Sequence, residues 1–428
     1  MPETRPTSAA PVPSVTSADV AMICRACGAP VRETLVDLGM SPLCESYVPT
    51  ELADRMEPFY PLHVYVCEQC FLAQLQQYVS AEDIFTEYAY FSSYSDSWLR
   101  HAEEYTAMAI GRFGLGAKSR VIELASNDGY LLQYFVHAGV PVLGIEPAAN
   151  VAKAAEERGV RTLVEFFGPE CAERVRADGW AADLIIGNNV LAQVPDLNGF
   201  VAGIAIALAD HGVVTLEFPH VVRLIEENQF DTIYHEHFSY FSLSTVKSLF
   251  ARHGLEVFDV EELRTHGGSL RVYGKHAGDA AHPVGPRVGA LLAEEERLGV
   301  CTLAYYRTFA DRVRETKRKL LEFLIQARRQ GKRIVGYGAP GKGNTLLNYC
   351  GIRTDFVDFT VDRSPYKQGK LLPGTRIPIH APARLDEARP DYVLILPWNL
   401  RDEIEKQLAG IRAWGGKFVV PIPTLEVW

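Results

Sequence analysis

The sequence has no apolar run long enough to span a bilayer, so no transmembrane helix is expected. It has no excess of positive charge either: 43 Lys and Arg stand against 53 Asp and Glu, for a net charge of −10. Sequence-independent grip on nucleic acid or on an anionic membrane needs clustered cations that displace counterions, and a chain of this balance is poorly built for it. The first twenty residues, MPETRPTSAAPVPSVTSADV, lack the continuous apolar core of a secretory signal; rich in Pro, Ser, Thr and Ala, residues 1–20 read as a flexible tail. Together these absences point to a cytoplasmic protein whose thiols stay reduced; a monomer or weak homo-oligomer is the default expectation for its assembly, which these absences do not decide. What is present, 47% hydrophobic and 22% charged residues over 428 positions, is a folded chain of roughly two to four domains.

Four of the eight cysteines form two C-x-x-C pairs, Cys24 with Cys27 and Cys67 with Cys70, with 39 residues between the pairs. Each pair can hand two thiolates to one tetrahedral ion, so two loops close around a single Zn2+. Four thiolates leave no position for water, and the expected role of this zinc-binding domain (residues 21–80) is to hold structure. Cys44, Cys171, Cys301 and Cys350 are isolated and read as small buried apolar residues.

From Ser119 onward short apolar runs alternate with stretches of helical periodicity: SRVIELAS, then NDGYLLQYFVHAG, VPVLGIEP, an amphipathic stretch through Arg158, ADLIIGNNV and GVVTLEFP. Such alternation predicts a parallel sheet covered by helices, with ligands at the carboxyl ends of the strands. LEVFDVEEL and SLRVYGK, joined through Thr265, His266, Gly267 and Gly268, predict a hairpin that closes the sheet. The turn after the first strand, Glu123 to Gly129 (ELASNDG), is made of small and polar residues that let a ligand approach, although it lacks the full G-x-G-x-x-G. Glu146, ending the second strand, is placed to accept the two hydroxyls of a ribose.

Six ordered segments, IELASNDG, GIEPAANVA, NNVLAQVPDLNGF, YHEHFSYFS, HGGSLRVY and GYGAPGKGNTLLN, follow the paired cysteines. Together they resemble the S-adenosylmethionine-dependent C-methyltransferases that act on nucleotide-linked keto-deoxysugars in deoxysugar and antibiotic biosynthesis. The resemblance implies an α/β fold: a Rossmann-like class I methyltransferase sheet (residues 81–280), flanked by the zinc module, a helical connector (281–330) and a second Rossmann-like domain (331–428). It implies a cofactor site of Glu123, Ala125, Asn127, Asp128 and Gly129 on the methionine side and Glu146 and Pro147 at the ribose. Phe166 and Phe167 would lie near the adenine, with Asn188 and Asn189 at the next strand end; core packing is the alternative for the two phenylalanines. The substrate implied is a keto sugar, commonly dTDP-linked and methylated at carbon 3 beside a 4-ketone.

The densest polar stretch, YHEHFSYFS (Tyr234 to Ser242), follows the fourth of the strands read from the sequence. By the resemblance, His237 is the base that removes a proton beside the ketone, Glu236 its partner, and Tyr234 a donor to the developing oxyanion. Histidine suits this work because its pKa lies near neutrality. Two other readings stay open: a metal site using His235 and His237, for which no third ligand is evident and the H-E-x-x-H spacing is absent, and a purely structural polar loop. Gln193 stands where the resembling enzymes carry a histidine, and an amide cannot exchange a proton at neutral pH. Upstream lies YAYFSSYSDSW; the resemblance implies that a tyrosine of this connection, Tyr88, Tyr90 or Tyr94, approaches the methyl donor or the substrate, and packing between domains is the alternative. His235, His266 and Arg271 are further candidates for substrate contact.

The last segment contains GYGAPGKGN, in which Gly336, Gly338 and Gly341 fit G-x-G-x-x-G and Asp362 follows at a ribose-binding distance. Read alone this is an NAD site. With Gly343 in place of the magnesium-binding Ser or Thr it is not a phosphate-hydrolysing loop. The resemblance instead assigns Gly338, Lys342 and Asn344 to the nucleotide-sugar. An NAD-dependent oxidoreductase and a non-catalytic zinc-ribbon binding protein are the alternative functions.

Overall fold

The computed structural model describes residues 22–85 and 92–428. At the start, a two-stranded hairpin, Met22–Ile23 with Pro30–Val31, presents the first cysteine pair. Strands Glu33–Ser41, Tyr60–Val66 and Ala73–Leu75 follow as an antiparallel sheet. In Tyr60–Val66 the buried positions alternate, Leu62, Val64 and Val66 facing the core, as the period of two requires. The fourth strand of this sheet comes from far along the chain: Ser239 and Tyr240 pair with Gln74 and Ala73. The polar stretch beginning at Tyr234 therefore runs directly into the sheet that carries the second cysteine pair.

The central sheet has seven strands: Val121–Leu124, Val142–Ile145, Thr162–Leu163, Ala182–Asn188, Leu208–Pro219, Leu255–Leu263 and Ser269–His276. Numbered in chain order they lie 3-2-1-4-5-7-6, with the last strand antiparallel between the fifth and sixth. Every residue of the first two strands is buried, as expected where helices cover both faces. The order reverses between the first and fourth strands, and that reversal opens a crevice beyond their carboxyl ends. Thr162–Leu163, only two residues long, shows no periodicity in the sequence; because it forms the third strand, YHEHFSYFS follows the fifth strand and not the fourth.

The connector is three helices, Pro286–Leu298, Leu303–Arg307 and Phe309–Arg329. The last buries Val313, Leu320 and Leu324 along one face and leaves Arg314 and Arg318 in solvent. Cys171 and Cys350 are buried as expected, but Cys301 is exposed, because it sits in the turn between the first two of these helices. The C-terminal sheet orders Ile334–Tyr337, Thr360–Val361, Ile379–His380, Tyr392–Ile395, Lys417–Val420 and Glu426–Val427 as 3-2-1-4-5-6 in their own chain order, the second α/β unit with a switch point. Lys370–Leu371 leaves it to pair with Val48–Pro49 of the N-terminal module. One continuous apolar core joins Leu35, Leu62 and Val64 of that module to Leu320, Ile334 and Leu394. No helix among the described residues is long and apolar enough to cross a membrane.

Candidate active site

The four predicted zinc ligands converge. The Sγ atoms of Cys24, Cys27, Cys67 and Cys70 all lie within 4.8 Å of one another, and Cys24 to Cys70 and Cys27 to Cys67 are each 3.5 Å apart. A tetrahedral ion bound at about 2.3 Å needs sulfurs roughly 3.8 Å apart, so this donor set fits Zn2+. The Gln74 amide donates to the Cys24 sulfur at 3.2 Å and the Gln69 backbone N–H to that of Cys67 at 3.4 Å, the outer hydrogen bonds that thiolate charge calls for.

In the crevice of the central sheet the turn after the first strand takes an uncommon path. Ala125 and Asn127 have φ of 55° and 49°, a left-handed conformation that side chains rarely adopt, and Asn189 at the neighbouring strand end has φ of 57°. Glu146 holds this turn, its two oxygens accepting the backbone N–H groups of Asn127 and Ala148, each at 2.9 Å. Asp128 is held by Arg158 at 3.1 Å and by the Ser93 hydroxyl. Several buried polar atoms are left without a hydrogen-bond partner: Oε2 of Glu123, Oδ1 of Asp128, and both side-chain atoms of Asn188. Burial, with Glu146 and Asp128 beside it, pushes the Glu123 carboxyl well above the usual range. Orphaned groups clustered at strand ends are what a polar ligand would satisfy, and they fit the amine and ribose of S-adenosylmethionine. Pro147 lies half-buried next to Glu146. Phe167 packs edge-on against Phe200 at 5.6 Å, whereas Phe166 is 42% exposed, so only the latter is an open face.

Across the crevice stands YHEHFSYFS, whose three central residues point to three different neighbourhoods. His235 turns outward to the N-terminal module, its Nε2 3.2 Å from the Pro61 carbonyl. Glu236 is buried against Cys44, whose thiol donates to it at 3.6 Å, and burial together with the Glu45 carboxylate raises its pKa. It makes no hydrogen bond to His237. His237 places Nδ1 3.0 Å from the Thr232 carbonyl oxygen and lies against the Tyr234 ring, the centroids 4.0 Å apart and the planes tilted by 34°. A carbonyl can only accept, so Nδ1 carries the proton and Nε2 presents a lone pair. Burial brings the pKa of His237 down to about 4, with Thr232 opposing and His266 and Lys342 adding to the shift. The ring is therefore neutral at physiological pH, and, against the near-neutral pKa expected from the sequence, burial makes it a weaker base than an ordinary histidine.

His266, at the tip of the hairpin, approaches the same space and contacts the Trp98 ring at 5.1 Å. Lys342 lies over the Trp398 ring at 4.9 Å and donates to Asn399 at 2.8 Å. Asp231, three residues before Tyr234, accepts from the Trp398 indole at 2.7 Å, and its burial raises its pKa to about 7. Arg271 instead lies in an internal network: it pairs with Glu217 at 3.0 Å and Glu261 at 3.3 Å and covers the Tyr105 ring. Glu217 also accepts from His101 at 2.9 Å and Thr265 at 2.8 Å; these donors outweigh its burial and keep it ionised. Glu217, Asp231 and Trp398 carry no motif, and only their position at a strand end or beside the polar loop could have marked them. Gln193 ends a one-turn helix after the fourth strand, half-buried. Tyr88 and Tyr90 lie outside the described residues, and of Tyr94 only the backbone, in the turn Ser92–Tyr94, is described.

The glycine turn of the C-terminal domain is not open to a dinucleotide. A Cβ on Gly341 would meet the Cys44 sulfur at 2.8 Å, and one on Gly338 would meet Pro397 at 2.6 Å. Asp362 accepts from the Ala339 and Ser364 N–H groups, at 2.7 and 2.8 Å. Asn344 donates to the Cys44 carbonyl at 2.6 Å. The start of helix Gly341–Cys350 is thus covered by the N-terminal module, with the Glu45 carboxylate where a pyrophosphate would need space, and the NAD-dependent reading fails on this geometry.

The 3-2-1-4-5-7-6 sheet, the acidic strand ends and the orphaned groups beside them define a class I methyltransferase that uses S-adenosylmethionine. Three family models cover the chain: "Putative zinc binding domain" at residues 24–85, "Methyltransferase domain" at 98–260 and "C-methyltransferase C-terminal domain" at 264–423. C-methyltransferase NovU of Streptomyces niveus is 38% identical over 407 residues, 94% of this chain and 96% of that protein. The chain belongs to this family of C-methyltransferases and is an S-adenosylmethionine-dependent enzyme with a zinc module. Solved structures resemble it more distantly. Magnesium protoporphyrin IX methyltransferase from Synechocystis PCC 6803 is 12% identical, with a TM-score of 0.33, over 42% of this chain and 79% of that one. An S-adenosylmethionine-dependent methyltransferase from Clostridium acetobutylicum ATCC 824 is 11% identical, with a TM-score of 0.34, over 42% and 92%. Scores this low carry no weight beside the strand order and the family models.

Proposed function

We propose that this enzyme C-methylates a nucleotide-linked 4-keto-deoxysugar, dTDP-linked and at carbon 3, supplying a branched sugar to a biosynthetic route. The observation that carries this reading is the Nδ1 contact of His237 with Thr232, which leaves Nε2 as an unprotonated base in a buried cleft. A carbon beside a ketone is acidic enough to be deprotonated only if the base is neutral and the charge passing to oxygen is met by a donor. His237 takes the proton. Tyr234, tilted against its ring, is the phenol placed beside it, and Glu236 supports the loop through Cys44. Tyr90 is the further candidate from the connection before the central sheet. When bound, S-adenosylmethionine supplies an electrophilic methyl group that needs no acid assistance, so the chain's own work is proton removal, charge stabilisation and alignment. Because the helix start beside Lys342 is covered, its Nζ is committed to Asn399 and the Trp398 ring and not to the sugar's diphosphate, and its burial lowers its pKa, an effect that Asp231 opposes.

The test is incubation of the zinc-loaded enzyme and S-adenosylmethionine with a panel of dTDP- and UDP-linked 4-keto and 4-hydroxy sugars. The expected product gains one methyl group, located at carbon 3 by NMR, from 4-keto sugars alone. Equal turnover of 4-hydroxy sugars would overturn the enolate mechanism, and methylation at oxygen would overturn the reading itself.

A further inference from the structure

His266 is held in a conformation that its own chemistry disfavours. Its φ of 53° is left-handed, a region that costs a non-glycine residue energy and persists only where the surroundings impose it. Here they do. On one side the Thr265 hydroxyl is fixed to the buried Glu217 at 2.8 Å, and the Gly268 N–H returns to the Thr265 carbonyl at 2.9 Å. On the other, Gly267 is pressed so closely that a Cβ would fall 2.7 Å from the Trp398 ring and 2.9 Å from the Gln229 amide, which itself donates to the Gly267 carbonyl at 2.6 Å. The turn is thus clamped between the methyltransferase domain and the C-terminal domain, and the residue it displays is an imidazole.

That imidazole meets a second left-handed residue. The Asn189 side-chain amide donates to Nε2 of His266 at 3.3 Å. With Nε2 accepting, the ring proton sits on Nδ1. Nδ1 makes no hydrogen bond among the described residues and is not sealed from solvent, which leaves it available to a ligand. Burial, reinforced by Lys342, holds the His266 pKa down to about 4, and its charge would act directly on His237. The two histidines are therefore a complementary pair: His237 presents a lone pair and His266 presents an N–H, both uncharged.

We propose that His266 is a catalytic residue, donating its Nδ1–H to the sugar's ketone oxygen as His237 removes the neighbouring proton. This rests on the keto-sugar reading above. The carbon–hydrogen bond breaks and its proton moves to Nε2 of His237. The electron pair forms a carbon–carbon double bond, and the carbonyl π pair moves to oxygen. That oxygen, now an enolate, is held by the His266 N–H together with the phenol of Tyr234; a carbonyl oxygen has two lone pairs and accepts both. A neutral imidazole serves this purpose because it donates without giving up its proton to bulk water.

Deuterium exchange from solvent at the carbon beside the ketone, followed by NMR without S-adenosylmethionine, isolates this half of the reaction. His266→Gly accepts the left-handed backbone and removes the donor, and His266→Asn also tolerates that backbone while keeping a shorter N–H donor. The expected result is a fall in exchange rate of about 10²–10³-fold in H266G, partial recovery in H266N, and unchanged S-adenosylmethionine affinity by calorimetry in both. Wild-type exchange rates in H266G, with wild-type exchange itself present, would overturn the role of His266 alone. Absence of exchange in the wild type on every 4-keto sugar would overturn the keto-sugar reading along with it. A rise in KM with kcat and exchange unchanged would assign His266 to substrate binding and overturn the catalytic role.

Discussion

Nδ1 of His237 lies 3.0 Å from the carbonyl oxygen of Thr232, and that single contact decides which nitrogen of the ring can act. Thr232 is itself held by its hydroxyl to the Gln229 carbonyl at 2.7 Å, and the loop is fixed from the far side by Thr345, which donates to the Ile233 carbonyl at 2.9 Å. The tautomer is therefore set by the fold. Thr345→Val removes that outer anchor and is expected to lower kcat several-fold with little change in cofactor binding. A kcat equal to wild type would show that the loop needs no such brace.

The pH dependence follows from the same burial. A buried neutral histidine binds its proton more weakly than in the unfolded chain, so His237, the proposed base, loses its lone pair to a proton only when pH falls toward about 4. His266 and Lys342, which face it from the hairpin and from helix Gly341–Cys350, push in the same direction, while Tyr234 and Tyr240 are its ring neighbours. The acid limb of kcat/KM is expected well below the ordinary histidine value of about 6.5. Replacing Lys342 by Met should move that limb upward, because a repelling charge is removed. A limb that stays at 6.5 in the wild type would contradict the burial of the base.

Loss of cofactor binding is expected from the strand ends. Glu146→Ala removes a carboxylate that orders the Asn127 and Ala148 N–H groups, and it should weaken S-adenosylmethionine by on the order of 10–100-fold in calorimetry, the worth of hydrogen bonds to a charged group. Phe200→Ala, which undercuts Phe167 but not the open ring of Phe166, should cost stability far more than affinity.

Zinc removal should reach the active site through the sheet. Strand Ser239–Tyr240 pairs with Ala73–Leu75, three residues beyond Cys70, so a collapsed metal module releases the end of the polar loop that carries the proposed base. Chelation is expected to abolish methyl transfer and lower the Tm while the central sheet still binds S-adenosylmethionine. Full activity after the metal has been lost, as measured by elemental analysis, would contradict this coupling.

Glu295 gives a prediction about stability. Its carboxylate, fully buried, accepts from His220 at 3.0 Å, from the Leu243 and Ser244 N–H groups at 2.7 and 2.9 Å, and from the Ser244 hydroxyl at 2.5 Å, docking the connector onto the start of helix Leu243–Arg252. Burial opposes its charge, but these donors prevail and keep its pKa below the usual carboxylate range. Its contribution is therefore complete above an unfolded value of about 4.3 and disappears as pH falls through the lower folded value. Glu295→Gln should cost about 3 kcal/mol near neutrality and flatten the loss of Tm on acidification. An unchanged Tm would show that the contacts are not maintained in solution.

Much of this site could be read from the chain. The two C-x-x-C pairs carry their geometry in their spacing, and Glu146 is recognisable because strand periodicity fixes where the second strand ends. Thr162–Leu163 is too short to show a period, so the polar loop lies one strand later in the sheet than the sequence predicts. The partners of Glu236 were not legible for a different reason: Cys44 is nearly two hundred residues away and reaches it only because the N-terminal module packs on helix Gly341–Cys350. The glycine turn at Gly336 to Gly341 matched a dinucleotide fingerprint letter for letter, yet its glycines serve close packing against Cys44 and Pro397. Sequence shows where a backbone must come close to something, not what that something is.

The most direct measurement is solvent deuterium exchange at carbon 3 of a dTDP-linked 4-keto-deoxysugar, without S-adenosylmethionine, in the wild type and in His237→Asn. Asparagine can still donate to the Thr232 carbonyl but has no basic lone pair, so the loop keeps its anchor while the base is lost. Exchange in the wild type and a loss of about 10²–10⁴-fold in H237N, with cofactor affinity unchanged, is the expected result. Exchange retained in H237N would place the base elsewhere and contradict the central assignment.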